Sequence, residues 1–269
     1  MKEPFQMVSS SLLAIDEWQK IEPTLSVGFT TKIGGESRAP YQSLNLAYHV
    51  ADDPDRVTEN RKRVAEDLGF PLTQWIMGEQ IHGKKVVRVG GKDAGLGSID
   101  NQSNIAQVDG LITNEKNLLL VAAFADCAPL YFWDPVSGNI GLAHAGWRGT
   151  VQGIGTEMLR QFLEAGSKMK DIKIAIGPCI GQPYYEVDTV VIDQIPAQYH
   201  RESMISQVDF AHYLLNLKEV NRQILLDFGA CPGNILTTNY CTHEDSSLFY
   251  SHRRDQGKTG RMLAYIGKS

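Results

Sequence analysis

Three residues in this sequence carry side chains suited to metal or nucleophilic chemistry while sitting among small neighbours: His82 in EQIHG, Cys127 in ADCAPL and His144 in AHAGWRGT. A His/Cys/His set offers donors suited to zinc and leaves a fourth position for water, which is the arrangement of a catalytic ion. Zinc in such a setting brings the pKa of its water to about 7, so hydroxide is available at neutral pH. The same atoms allow a second chemistry, with Cys127 as nucleophile and His144 as its base, oriented by Asp126 or Asp109 and needing no metal. His82 lies far from Cys127 in sequence, so spacing leaves both readings open beside a plain one, a packed Cys and two hydrogen-bonded His.

Other clusters compete with it. Cys241 and His243, with His252 nearby, have a CxH spacing that a metal accepts but that arises easily by chance. Two consecutive arginines in SHRRD, Arg253 and Arg254, precede a glycine-bearing turn and could hold a phosphate or carboxylate. GPCIG at 177–181 offers a backbone cradle or only a turn, with Cys179 as a small buried residue inside it.

These groups need elements to position them. DDPDRVTENRKRVAEDLGF supplies a cap at Asp53, Pro54 in the first turn, an apolar stripe of Val57, Val64, Ala65 and Leu68, and a stop at Gly69, which predicts a helix. Arg61 lies beside that stripe, so it points inward and is expected to need an anion or carboxylate. TQWIMGEQIHGKKVVRVGG predicts two short strands around a turn holding His82, and the polar stretch 91–108 a long loop.

NLLLVAAFA predicts a strand buried on both faces, and PLYFWD with NIGLAHAG a hairpin closed by PVSG. Pairing Tyr131–Asp134 with Asn139–Leu142 brings Cys127 and His144 to one end of the sheet. TVQGIGTEMLRQFLEAG predicts a helix capped by Thr150, with Arg148 just ahead of an N-terminus that favours anions. KIAIGPCIG predicts a strand, LNLKEVNRQILLDFGA a helix stopped by Gly229, and ILTTNY, SLFYSH and RMLAYIG further strands. Helices and strands that mix without strict alternation predict an α/β fold of mixed α+β sheets. No linker or fixed-period repeat divides the chain, so residues 1–269 are expected to form a single domain.

With 269 residues, 42% of them hydrophobic and 21% charged, the chain has ample material for a core. A net charge of −5 and the lack of a basic block argue against a nucleic-acid partner. The longest apolar run, LLLVAAFA, is too short to span a bilayer, and MKEPFQMVSS lacks signal-peptide order, so no membrane association and a cytoplasmic location are expected. Four cysteines without CxxC spacing are expected to be free thiols.

The motifs TTKIGGES, SLNLAYHVADDP, NRKRV, EQIHG, VDGLIT, ADCAPL, AHAGWRGT, IGPCI, YEV, YSHRRD and TGRM follow one another from Gly28 to Gly267. Together they resemble the multicopper polyphenol oxidoreductase, or laccase-domain, family, also called purine nucleoside phosphorylase with laccase domain, in its bacterial YlmD and YfiH type. The resemblance implies that His82, Cys127 and His144 hold zinc. It also implies a YfiH-like fold of mixed sheets with outer helices, likened to the catalytic domain of cytotoxic necrotizing factor toxins (CNF1), and a duplicated motif that the sequence does not display.

The implied activity is phosphorolysis of adenosine, inosine, guanosine and S-methyl-5'-thioadenosine, with hydrolytic deamination of adenosine to inosine. Deamination wants a carboxylate to shuttle protons, and Glu79 and Asp126 are the candidates. Phosphorolysis wants a phosphate dianion held by cations, for which Arg61, Arg148 and Arg253 are the candidates. The expected partners are thus purine nucleosides and phosphate, with no protein partner predicted. Copper is disfavoured, because multicopper oxidation needs several nitrogen-rich centres and the chain has seven His, none in an HxH pair. A nucleoside- or metal-binding protein without turnover is the reading from outside enzymology.

Overall fold

Strands in which every residue is buried must be covered on both faces, and this chain has several. The computed structural model describes residues 2–269. Its strands are β1 (Phe5–Met7), β2 (Leu12–Ile15), β3 (Leu25–Thr30), β4 (Trp75–Met77), β5 (Val86–Arg88), β6 (Gly110–Thr113), β7 (Leu118–Phe124), β8 (Ala128–Trp133), β9 (Ile140–Ala145), β10 (Lys173–Ile176), β11 (Glu186–Asp188), β12 (Ile205–Gln207), β13 (His212–Leu215), β14 (Ile235–Thr237) and β15 (Met262–Lys268). The helices are α1 (Asp16–Ile21), α2 (Pro54–Leu68), α3 (Trp147–Gln152), α4 (Ile154–Glu164), α5 (Thr189–Ile192) and α6 (Leu217–Asp227).

Two six-stranded mixed sheets run in the orders β1-β2-β3-β15-β7-β4 and β14-β10-β8-β9-β6-β5, and a small third sheet is β11-β13-β12. Period-two alternation sorts each central strand between two cores. Leu118, Leu120 and Phe124 of β7, Tyr131 and Trp133 of β8, and Ile140 and Leu142 of β9 fill the space between the large sheets. Leu119, Val121 and Ala123 of β7 face the other way, against Val64 and Ala65 of α2. Leu130 and Phe132 of β8 meet Met158, Leu159 and Phe162 of α4 and Leu225 of α6. The result is helix, sheet, sheet, helix, in which each buried large side chain contributes roughly 1.5–3 kcal/mol. This is the expected mixed α/β architecture.

Helix α2 follows its sequence signals: Asp53 accepts the Asp55 N–H at 3.0 Å, and Gly69 ends it in the left-handed region at φ 69°. The hairpin has the expected register, with Tyr131 opposite Leu142 and the Asp134 N–H donating to the Asn139 carbonyl at 2.9 Å.

Three expectations change. The strands on either side of His82 form, but β4 pairs with β7 in the first sheet and β5 with β6 in the second, so the segment between them is a crossover and not a hairpin turn. The helix expected from Thr150 starts at Trp147 and breaks at Gly153, φ 87°, dividing α3 from α4. Thr150 is no cap; it is buried inside α3, where its hydroxyl accepts from Asn221 Nδ2 at 2.9 Å. SLFYSH forms turns in place of a strand, with Phe249 and Tyr250 packed into the intersheet core.

Candidate metal centre

Crossovers between the two large sheets bring the candidate residues together. His82 lies on the β4–β5 crossover. Cys127 ends the β7–β8 crossover, whose sharp bend sits at Asp126, φ 88°. His144 is opposite Pro129 near the end of β9, on the inner face that Leu142 shares. One ligand atom from each of His82, Cys127 and His144 lies within 4.8 Å of the others. Among the described residues this is the one grouping of its kind. The rings of His82 and His144 are 4.8 Å apart, and Phe124 packs edge-on to His144 at 5.2 Å.

Asp109, just ahead of β6, organises two of the three. Its Oδ1 hydrogen-bonds His144 Nδ1 at 2.8 Å, which leaves His144 Nε2 for a metal, the usual pairing of carboxylate, imidazole and ion. The same carboxylate accepts the backbone N–H groups of Ile81 (3.2 Å), His82 (3.0 Å) and Gly83 (2.7 Å). These bonds hold His82 at φ 61°, a left-handed conformation that a non-glycine residue adopts at a cost of order 1 kcal/mol.

The electrostatics follow from burial and pairing. Burial opposes ionisation of the Cys127 thiol, but His144 and His82 outweigh it and bring its pKa down to about 6. Burial likewise disfavours a charged His144, yet Cys127 and Asp109 raise it to about 9. Asp109 stays below the ordinary carboxylate range because the His144 and backbone hydrogen bonds overcome its burial. Cys179 has no such partner, and burial pushes its thiol up to about 12. A thiolate, two imidazoles and a buried carboxylate behind one of them fit a divalent zinc-like ion. Gly146 makes room for it, since a Cβ there would lie 3.0 Å from Cys127 Sγ and 2.9 Å from His82 Cδ2.

The three donors open into a cleft of about 540 Å³, within the range of small-molecule sites. The candidate arginines all reach its wall but differ in commitment. Arg61 is buried, and it corrects the expectation that an inward Arg needs an anion. Its Nε donates to the Leu46 carbonyl, its Nη1 to those of Gly97 and Ser98, all at 2.7–2.8 Å, and Tyr48 stacks beneath it. Arg148 is exposed, in the first turn of α3 and not ahead of it, over the Trp147 ring. Arg253 is exposed over Tyr185, with Nη1 donating to the Glu186 carbonyl at 2.7 Å. Arg254 is paired with Asp255 and three carbonyls.

Of the carboxylates, Glu79 lines the cleft and accepts the Gln107 N–H at 3.0 Å. Asp126 is committed elsewhere, accepting from Thr242 Oγ1 (2.7 Å), Ser251 Oγ (3.0 Å) and the Arg253 N–H (2.7 Å). The tail cluster does not assemble: Cys241 Sγ accepts the Gly181 and Glu244 N–H groups, His243 stacks on Tyr184, and His252 faces the main cleft. All four cysteines are free. His49, Gln80 and Arg261 also line the cleft. Sequence reasoning missed them, although His49 lies in SLNLAYHVADDP, Gln80 in EQIHG and Arg261 in TGRM. No helix among the described residues is long and apolar enough to cross a membrane.

Comparison with known proteins shows the family and the fold. Residues 26–269 match the family model described as multi-copper polyphenol oxidoreductase laccase. The chain is 43% identical to purine nucleoside phosphorylase YlmD of Bacillus subtilis, over 98% of this chain and 97% of that one. It is 45% identical to the YlmD protein of Geobacillus stearothermophilus, over 90% and 89%. The crystal structure of Bacillus licheniformis hypothetical protein YfiH superposes with a TM-score of 0.95 at 42% identity, covering 99% of both chains.

Proposed function

The chain belongs to the multi-copper polyphenol oxidoreductase laccase family, and from that premise we propose that it is a zinc-dependent purine nucleoside enzyme. It cleaves adenosine, inosine, guanosine and S-methyl-5'-thioadenosine with phosphate, giving the base and the (methylthio)ribose 1-phosphate, and it deaminates adenosine with water to inosine and ammonia. It serves purine salvage in the cytoplasm. The observation that carries this reading is the His82, Cys127 and His144 donor set at the head of a cleft walled by Arg148 and Arg253.

The ion, when bound, supplies Lewis acidity beside the substrate. The protein's own groups do the rest. Arg148 and Arg253 bind the phosphate dianion and hold one oxygen against the ribose C1′, where the new C–O bond forms as the C–N bond to the base breaks. Glu79, three residues before His82, moves protons to and from the departing group. The crossovers keep the three donors fixed while the nucleoside enters from the open side.

One observation favours a second reading. Asp109, His144 and Cys127 stand in the order of a Cys/His/Asp triad, so a metal-free cysteine hydrolase or deamidase is the rival. Metal analysis of the purified protein, followed by incubation of wild type and Cys127→Ala with adenosine and phosphate, separates them. The proposal expects near-stoichiometric zinc, with inosine, adenine, hypoxanthine and ribose 1-phosphate as products that Cys127→Ala loses. No metal and no purine product from wild type would sink it, and turnover of an amide or ester substrate by metal-free protein through an acyl intermediate on Cys127 would establish the rival.

A further inference from the structure

The segment that carries His82 is tied to each sheet by one side chain. On the second-sheet side the tie is Asp109, whose carboxylate receives the Ile81, His82 and Gly83 N–H groups together with His144 Nδ1. On the first-sheet side β4 stops at Met77, because the chain turns away to pair with residues near Ile105: the Glu79 N–H donates to the Ile105 carbonyl and the Val108 N–H to that of Glu79. That departure leaves the edge of β7 uncovered beyond Val121, the last residue β4 pairs with.

Gln80 fills the gap. Its Nε2 donates to the Ala123 carbonyl and its Oε1 accepts the Ala123 N–H, both at 2.8 Å. The side-chain amide thus stands in for one rung of a strand, satisfying a buried backbone pair that the sheet would otherwise leave open. Gln80 lies two residues before His82, and Ala123 four residues before Cys127. The rung therefore fixes the spacing between the segments that carry the two ligands.

We infer that Gln80 and Asp109 are positioning residues that together set the metal affinity of the site, Gln80 by tying the His82 segment to β7 and Asp109 by tying it to His144. This rests on the metal reading proposed above. Holding His82 at a left-handed φ requires both ties, since a segment free at one end relaxes that backbone and carries the imidazole away from Cys127.

The test compares wild type, Gln80→Met, Gln80→Glu and Asp109→Asn, each stripped with chelator and titrated with zinc against a chromophoric competitor. Cobalt(II) spectra report the ligand set, and metal-free thermal melts report the fold. Met keeps the length of Gln without either hydrogen bond; Glu keeps the acceptor and supplies a second variant if Met fails to fold. Asn at 109 turns an N–H₂ group towards backbone donors. Zinc affinity is expected to fall on the order of tenfold in Gln80→Met and 10- to 100-fold in Asp109→Asn, with a changed cobalt spectrum and Gln80→Glu in between. Affinities within twofold of wild type, with only the metal-free melts lowered, would reduce both residues to scaffold and overturn the inference alone. A wild type that binds neither metal would overturn both the inference and the function it rests on.

Discussion

Gly146 faces the Cys127 thiol so closely that a methyl group built on it would lie 3.0 Å from Sγ, and only 2.9 Å from Cδ2 of His82. Its φ of −71° is open to any residue, so space and not backbone freedom requires glycine here. Gly146→Ala should therefore push Cys127 and His82 apart. Overpacking of this kind costs about 1–3 kcal/mol. Zinc content of the purified variant should fall well below that of wild type while its far-ultraviolet circular dichroism stays the same. Full occupancy in the variant would show that the donors lie elsewhere.

The metal-free protein should reveal the paired thiolate. His144 and His82 overcome the effect of burial and hold the Cys127 thiol at about 6, so the thiolate persists above that pH and is lost as pH falls through it. Alkylation by iodoacetamide, followed peptide by peptide, should rise to a plateau with a midpoint near pH 6 at Cys127. Cys179, pushed up to about 12, should stay unreacted at neutral pH. His144→Ala should move the Cys127 midpoint up, towards the ordinary thiol value of about 8.5. A midpoint already near that value in wild type would contradict the pairing, and zinc should protect Cys127 throughout.

Much of this site could be read in the sequence because its local parts obey local rules. The hairpin register that brings Cys127 and His144 to one end follows from two apolar runs and the PVSG turn between them, and it is observed as Tyr131 opposite Leu142. Asp53 and Gly69 mark the ends of α2 by cap chemistry alone. What stayed hidden depends on which sheet a strand joins. QWIM and VVR look like partners across a turn, but each pairs with a strand distant in sequence, β7 or β6, and the separation of the two sheets is what makes the His82 segment a crossover. Arg61 was legible as buried, yet its carbonyl partners come from residues 46, 97 and 98, which no periodicity connects. Gln80 gave no signal, since its partner is a backbone pair exposed only because β4 ends early.

The arginines should separate by what they already hold. Arg61→Met leaves three buried carbonyls without donors, so unfolding free energy should drop by about 3 kcal/mol or more. Arg148→Ala removes an exposed side chain that lies over the Trp147 ring, and stability should change by no more than about 0.5 kcal/mol. Its effect belongs in kinetics: KM for phosphate should rise on the order of tenfold with KM for the nucleoside little changed. Equal losses for both substrates would remove Arg148 from the phosphate site.

Asp126 should act through Arg253 and not as a proton carrier. Both of its oxygens are occupied, Oδ1 by Thr242 Oγ1 and Oδ2 by Ser251 Oγ and the Arg253 N–H, so the carboxylate holds the Arg253 turn against the cleft. An Asn in its place tolerates the left-handed φ of 88°. It can also aim its N–H₂ at Thr242, whose hydroxyl accepts, while its carbonyl keeps the other two bonds. Asp126→Asn should therefore retain deamination and phosphorolysis to within a few-fold. Asp126→Ala frees the turn, and its rise in KM for phosphate should match that of Arg253→Ala, with the double variant no worse than either single one. A proton shuttle would behave differently, because an amide cannot carry the proton. Loss of deamination kcat on the order of 100-fold in Asp126→Asn, with phosphate KM unchanged, would return Asp126 to the catalytic machinery.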